Sequence, residues 1–225
     1  MPSHASALAE LVRQRSPESA TWFERAWQNA NEPLGMSFRA ALAGAPRRLG
    51  AKAAERVAPP PALAELARPH WTLVDYARAA LVLRALELRP AEEHAATVLK
   101  LFEAGEIGEQ ISVLRTLGLL PQPERFVQTG LQACRTNAKD VFEALVCENP
   151  YPAAHFQELG FNQAVLKAIF MEVSVRRIEG LGPRITPELK RMVADFASER
   201  RAAGRPVPED TAYILSYDAT EGDRS

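Results

Sequence analysis

WTLVDYARAALVLRAL, residues 71–86, is the stretch that decides the fold class. Thr72 to Leu86 reads as one strongly apolar helix, and helix-and-break units follow it to the end of the chain. Pro90 opens a helix to Ala104 that Gly105 closes. Glu106 to Leu117 comes next, then Pro123 to Arg135. Asn137 reads as the cap of a further helix, with Asp140 three residues on as a variant capping box, and this helix ends at Asn149-Pro150. A long helix is expected from Glu158 to Val173. Thr186-Pro187-Glu188 starts the last one, which closes at Gly204.

Working back from Trp71, the pattern is looser. Ser3 to Gln14 reads as a helix with Leu8, Leu11 and Val12 on one face. Ser16 and Pro17 form a start signal for a helix carrying Trp22, Phe23 and Trp27. A short helix is expected from Phe38 to Ala43. Residues 44–70, with Pro46, Pro59-Pro60-Pro61 and Pro69, read as a crossing segment inside one domain of residues 1–210. Residues 211–225 read as a partly disordered tail in which Tyr213, Ile214, Leu215 and Tyr217 have the character to dock. Short helices recurring about every 16 to 20 residues point to an all-α fold of antiparallel helix pairs, stacked as an irregular HEAT-like solenoid or a helical bundle.

Composition agrees and excludes several functions. Apolar residues make up 47% of the 225 and aromatics 7%, a balance that favours helices over strands. The net charge of −1 argues against a nucleic-acid partner. Arg47, Arg48, Lys52 and Arg56 cluster, but Glu55 interrupts them, and such a stretch is more often a solvated helix face. Cys134 and Cys147 have no metal-site spacing, so no metal is expected and two buried reduced thiols are. Met1 to Glu10 is polar, no run reaches the ~20 apolar residues of a membrane span, and a cytoplasmic protein is expected.

The informative residues are those that break amphipathicity when each helix is projected at about 3.6 residues per turn. In Glu106 to Leu117, residues Ile107, Ile111, Val113, Leu114 and Leu117 share a face, and both Glu106 and Gln110 project inside it. In Glu158 to Val173, a wide apolar arc of Phe161, Val165, Leu166, Ile169, Phe170 and Val173 surrounds Asn162. Gln163 and Lys167 occupy the narrow remaining side. Asn162 is expected to be nearly inaccessible, its amide hydrogen-bonded to a neighbouring segment or to a bound group, with the turns bearing Arg135 to Asn137 or Glu148 to Tyr151 as neighbours. Helix-rich proteins often use such groups to cap neighbouring helix ends. The functional alternative is a polar cleft of Glu106, Gln110, Arg135, Asn162 and Lys167, walled by Phe161 or Tyr151, for a small polar or aromatic molecule. Catalytic templates fail: His94 after Glu92-Glu93 lacks HExxH spacing, and GxSxG, P-loop and dinucleotide motifs are missing. His155 with Glu148 is conceivable as an acid–base pair, though a lone His beside a proline turn is more often structural.

One ordered set of short motifs carries a resemblance. It comprises Leu101-Phe102-Glu103-Ala104-Gly105-Glu106-Ile107-Gly108-Glu109-Gln110, Leu119-Leu120-Pro121, Pro123-Glu124-Arg125-Phe126, Ala133-Cys134-Arg135-Thr136-Asn137 and Val141-Phe142-Glu143-Ala144. Glu148-Asn149-Pro150-Tyr151-Pro152-Ala153, His155-Phe156, Phe161-Asn162-Gln163, Val165-Leu166-Lys167-Ala168 and Ser198-Glu199-Arg200-Arg201 complete it. Over residues 70 to 210 these resemble the EboA family; the first 70 match loosely. The resemblance implies an all-helical protein from a gene cluster for a specialised metabolite. Such clusters also encode a UbiA-like prenyltransferase and are associated with moving a precursor out of the cytoplasm. It carries no catalytic residues across.

Three functions follow as expectations. The first is a cytoplasmic module that binds a small-molecule metabolite without a cofactor, with Glu106, Gln110, Arg135, Asn137, Glu148, Tyr151, His155, Asn162, Gln163 and Lys167 as ligand-binding candidates. The second is a cofactor-independent enzyme using Glu106 or His155. The third is a scaffold for other cluster proteins, among them the membrane prenyltransferase, which calls for an exposed apolar patch such as the Trp22-Phe23-Trp27 helix. None involves insertion into the membrane.

Overall fold

A computed structural model describes residues 3–64 and 70–218, and all of its named elements there are helices. They group into two compact units, residues 1–133 and 134–225. Residues 219–225, where disorder is expected from sequence, lie outside the described residues. Two isolated antiparallel bridges, Arg56 with Thr72 and Cys147 with Ile178, are the β-type pairings among the described residues.

The first unit contains α1 (His4–Arg15), α2 (Ala20–Gln28), α3 (Met36–Leu49), α4 (Leu73–Glu87), α5 (His94–Ala104), α6 (Ile107–Thr116) and α7 (Val127–Ala133). The stretch around Trp71 becomes its central element. Helices α1, α2, α3 and α6 all pack on α4, so most of it is buried. Alanines 77, 79, 80 and 85 have no accessible surface, and their small side chains let neighbouring helices close around it. Leu73, Leu81 and Leu86 fill the gaps, each worth about 1.5–3 kcal/mol on burial. Ser3 caps α1, its Oγ accepting the Ser6 N–H at 3.2 Å.

Helix α3 differs from expectation. It does not stop at Ala43 but runs through Pro46 to Leu49. Proline has no N–H, so within a helix it releases the carbonyl four residues back. Here that is the Leu42 oxygen, and it accepts a 2.9 Å hydrogen bond from Nε of the buried Arg78 on α4. An interhelical bond thus occupies the position that proline vacates. Beyond Gly50, in the left-handed region at φ +57°, the crossing segment lies along the start of α4. Val57 N–H donates to the Trp71 carbonyl (3.2 Å) and Leu73 N–H to that of Glu55 (2.9 Å).

The second unit contains α8 (Lys139–Val146), α9 (Tyr151–His155), α10 (Glu158–Phe170), α11 (Pro187–Ala202) and α12 (Glu209–Ser216). Asn137 is exposed and does not cap α8; the cap position is Ala138, whose N–H donates to Thr136 Oγ1 at 3.1 Å. Thr186 caps α11 as its sequence signal implies, accepting the Leu189 N–H at 3.2 Å. Arg184 ties α9 to α10: its Nη1 and Nη2 donate to the Ala153 (2.5 Å) and Phe156 (2.8 Å) carbonyls, and its guanidinium stands 4.4 Å over the Phe161 ring. The last segment forms α12, with Ile214 buried.

The buried arc of α10 is narrower than projected. Phe161, Asn162, Ala164, Val165, Ala168 and Ile169 are buried, but Leu166 is half-buried and Phe170 is 67% exposed. Phe170 forms one outer stripe with Leu159, Gln163 and Leu166.

Candidate functional site

The two earliest candidates belong to the first unit and have structural work there. Glu106 is exposed and is the N-cap of α6. Its backbone is extended, so the helical projection that placed it inside the apolar face does not apply to it. It exchanges capping bonds with Glu109: the Glu106 N–H donates to Glu109 Oε2 at 3.2 Å, and its own carboxylate accepts the Glu109 N–H. A carboxylate at this end also meets the positive pole of the helix. Ile107, one residue on, is 52% exposed rather than part of the buried face. Gln110 is half-buried and donates from Nε2 to the Phe102 carbonyl at 3.1 Å, serving the last turn of α5.

In the second unit, Lys167 reaches from α10 to the turn before α8. Its Nζ donates to the Thr136 carbonyl at 2.5 Å and stands 5.6 Å from the Phe142 ring centre. That turn is therefore held to α10 through Lys167. Arg135 and Asn137 in the same turn are exposed, as is Gln163 on α10. Glu148 adopts φ +47° and grips Arg177, accepting from Nε at 2.8 Å and Nη2 at 3.1 Å, while its N–H donates to the Arg177 carbonyl at 2.8 Å. Arg177 also donates to Glu143 at 2.6 Å, and these two carboxylates raise its pKa above the ordinary value. Glu148 is thus committed to an ion pair rather than to His155. Tyr151 is buried, its ring 4.8 Å from that of His155 and 6.1 Å from that of Phe156. Asn149 positions this turn, donating to the Ala144 carbonyl and accepting the Tyr151 N–H, both at 3.0 Å.

Asn162 stands apart from all of these. It is 1% exposed, as the projection requires, yet neither Nδ2 nor Oδ1 has a hydrogen-bond partner. The expected bond to a neighbouring segment is not made. A buried amide normally finds a partner, because leaving one unmade costs about 1–3 kcal/mol.

Both cysteines are free thiols. Cys147 is buried and Cys134 half-buried, and burial pushes both thiols up to about 12, so neither is a poised nucleophile.

Sequence reading missed a charged cluster in the first unit. Asp75 and Arg78 are 3% and 6% exposed on α4. Asp75 accepts from the Thr72 N–H (2.9 Å), Thr72 Oγ1 (2.8 Å), Ser112 Oγ (3.0 Å) and Arg115 Nη1 (2.5 Å). Arg78 donates to the Leu42 and Gly108 carbonyls and to Ser112 Oγ. A Cβ at Gly108 would stand 3.4 Å from Arg78 Nη1, so glycine leaves the guanidinium room. The signal was Thr72-x-x-Asp75 followed by Arg78, opening a helix whose other residues up to Leu83 are apolar.

Among the described residues, no group of three or more His, Cys, Asp or Glu could hold a metal ion, and no helix is long and apolar enough to cross a membrane. No curated protein and no solved structure matches the chain. The family described as metabolite traffic protein EboA matches residues 5–215. That match spans both units and every candidate residue above, and the chain belongs to the EboA family.

Proposed function

We propose that the protein acts in metabolite traffic by holding a small polar molecule, in the cytoplasm, on a scaffold of stacked helix pairs. The observation that carries this reading is the Asn162 amide, enclosed in the second unit with both polar atoms unanswered. An amide offers two donors and an acceptor, so a ligand with complementary groups would relieve its unmet demand. Glu106 and Gln110 take no part in this version, since both serve helix ends. Arg135, Asn137, Glu148, Tyr151, His155, Gln163 and Lys167 remain the polar and aromatic surroundings proposed for the second unit. The test is thermal unfolding with and without a deproteinised small-molecule extract of the native host. A ligand at about 100 times its Kd adds ~2.7 kcal/mol of stability, so the midpoint should rise by several degrees. An unchanged midpoint at saturating extract would contradict the reading.

A second reading is favoured by the outer stripe of α10. Leu159 and Phe170 are 63% and 67% exposed, whereas on α2 Phe23 is buried and Trp27 is covered by Arg13 and Arg84. This stripe would dock another protein of the gene cluster, with the membrane prenyltransferase as the first partner to test. Co-purification with the tagged prenyltransferase should occur and be lost in Leu159→Glu/Phe170→Glu. Equal recovery with that variant would sink the docking surface.

A further inference from the structure

A groove of about 490 Å³ opens between α2 and α3 in the first unit. Its α2 wall follows helical spacing: Glu18 just before the helix, then Trp22, Arg25 and Asn29. Phe23 and Ala26 of the same helix are buried. The α3 wall is built from small residues, Ser37, Ala40 and Ala41, with Arg48 at its far end. Small side chains on one wall and large ones on the other leave a cleft where two helices would otherwise interlock. Its volume falls within the usual range for small-molecule sites, roughly 300–1,000 Å³.

The two arginines that line this groove have no partner among the described residues, as is also true of the exposed Arg47 and Arg56 outside it. Arg13, Arg15, Arg78, Arg84, Arg89 and Arg115 of the same unit each donate to an oxygen acceptor. The Arg25 and Arg48 side chains make no hydrogen bond or ion pair among the described residues, though both line the groove. Glu18, the carboxylate in the lining, is paired instead with Lys52 at 3.3 Å. Lys52 is further held by the Arg15 carbonyl at 2.6 Å. The groove therefore presents two uncommitted guanidiniums beside a half-buried indole, with Asn29, Ser37 and Thr21 as further polar groups. Guanidinium matches carboxylate and phosphate through paired N–H donors, and an indole face accepts a flat ring.

We propose that the groove between α2 and α3 binds a small molecule in which an aromatic ring is joined to a carboxylate or phosphate group. Trp22 takes the ring, and Arg25 and Arg48 take the anion. The site does not rest on Asn162, which belongs to the other unit, so either assignment can fail alone.

Equilibrium dialysis of the full chain against 2-naphthoate, 2-naphthyl phosphate and neutral 2-naphthol tests this. At least one of the two anions should bind saturably at one per chain and at least tenfold tighter than the naphthol; which anion binds tighter identifies the natural group. The double variant Arg25→Gln/Arg48→Gln should lose tenfold or more, Trp22→Leu should weaken both anions, and Arg47→Gln, outside the lining, should bind as the native chain does. Circular dichroism checks that each variant is folded. Absence of saturable binding for both anions at millimolar concentration would overturn the proposal. So would anion binding that survives the double variant, or binding that depends equally on Arg47.

Discussion

Asp75→Ala should lower the free energy of unfolding by about 3–5 kcal/mol, the usual consequence of removing one member of a buried charged set. Asp75 gathers four donors, and alanine removes the acceptor they share. They are the Thr72 backbone and hydroxyl at the start of α4, Arg115, and the Ser112 hydroxyl, which keeps its bond to the Gly108 carbonyl. Arg78 also loses a compensating charge. Burial already holds its guanidinium below the ordinary pKa, with Glu109 and Asp75 opposing that shift. Asp75→Asn keeps an acceptor for Ser112 and should cost less than the alanine. Urea unfolding, with an unchanged denaturant slope, gives the comparison. A loss below about 1 kcal/mol for Asp75→Ala would mean that the cluster does not hold α4 to α6 as described.

Asn162→Leu should act in the opposite direction. A polar group with a structural partner leaves that partner stranded when it is replaced, and stability falls. Asn162 has no such partner, so leucine of similar size removes an unmet demand and should raise stability by about 1–3 kcal/mol. Polar groups kept at a cost to stability are characteristic of functional sites. Destabilisation by a similar amount in urea would show that Asn162 is bonded within the fold, and would remove the basis for a ligand at this position.

The all-helical fold could be read from residues 71–204 because breakers and caps there are local signals. Thr186-Pro187 and Gly105 act over a few residues and need no tertiary knowledge. Pro46 misled for the complementary reason. Whether a proline ends a helix depends on what takes the freed carbonyl, and that group, Arg78, lies on another helix. Projection placed Asn162 correctly because it sits inside α10, and misplaced Glu106 because a cap residue stands outside the helical repeat. Periodicity also overstated the core of α10, since an apolar stripe looks the same in sequence whether it faces the interior or, like Leu159 and Phe170, the outside. The groove escaped notice because it arises from the absence of side-chain volume on α3, which no single residue announces. The family likeness, clear by motif only from about residue 70, extends to residue 5.

Native mass spectrometry of protein purified from its own host tests the central claim, that this family member carries a small molecule answered by Asn162. Both polar atoms of Asn162 are enclosed, so a molecule bound to them should leave slowly and survive purification. The native chain should show a discrete added mass that is released on unfolding, and Asn162→Leu, folded and at least as stable, should show none. A native chain at its bare mass, or an adduct retained equally by Asn162→Leu, would contradict the account.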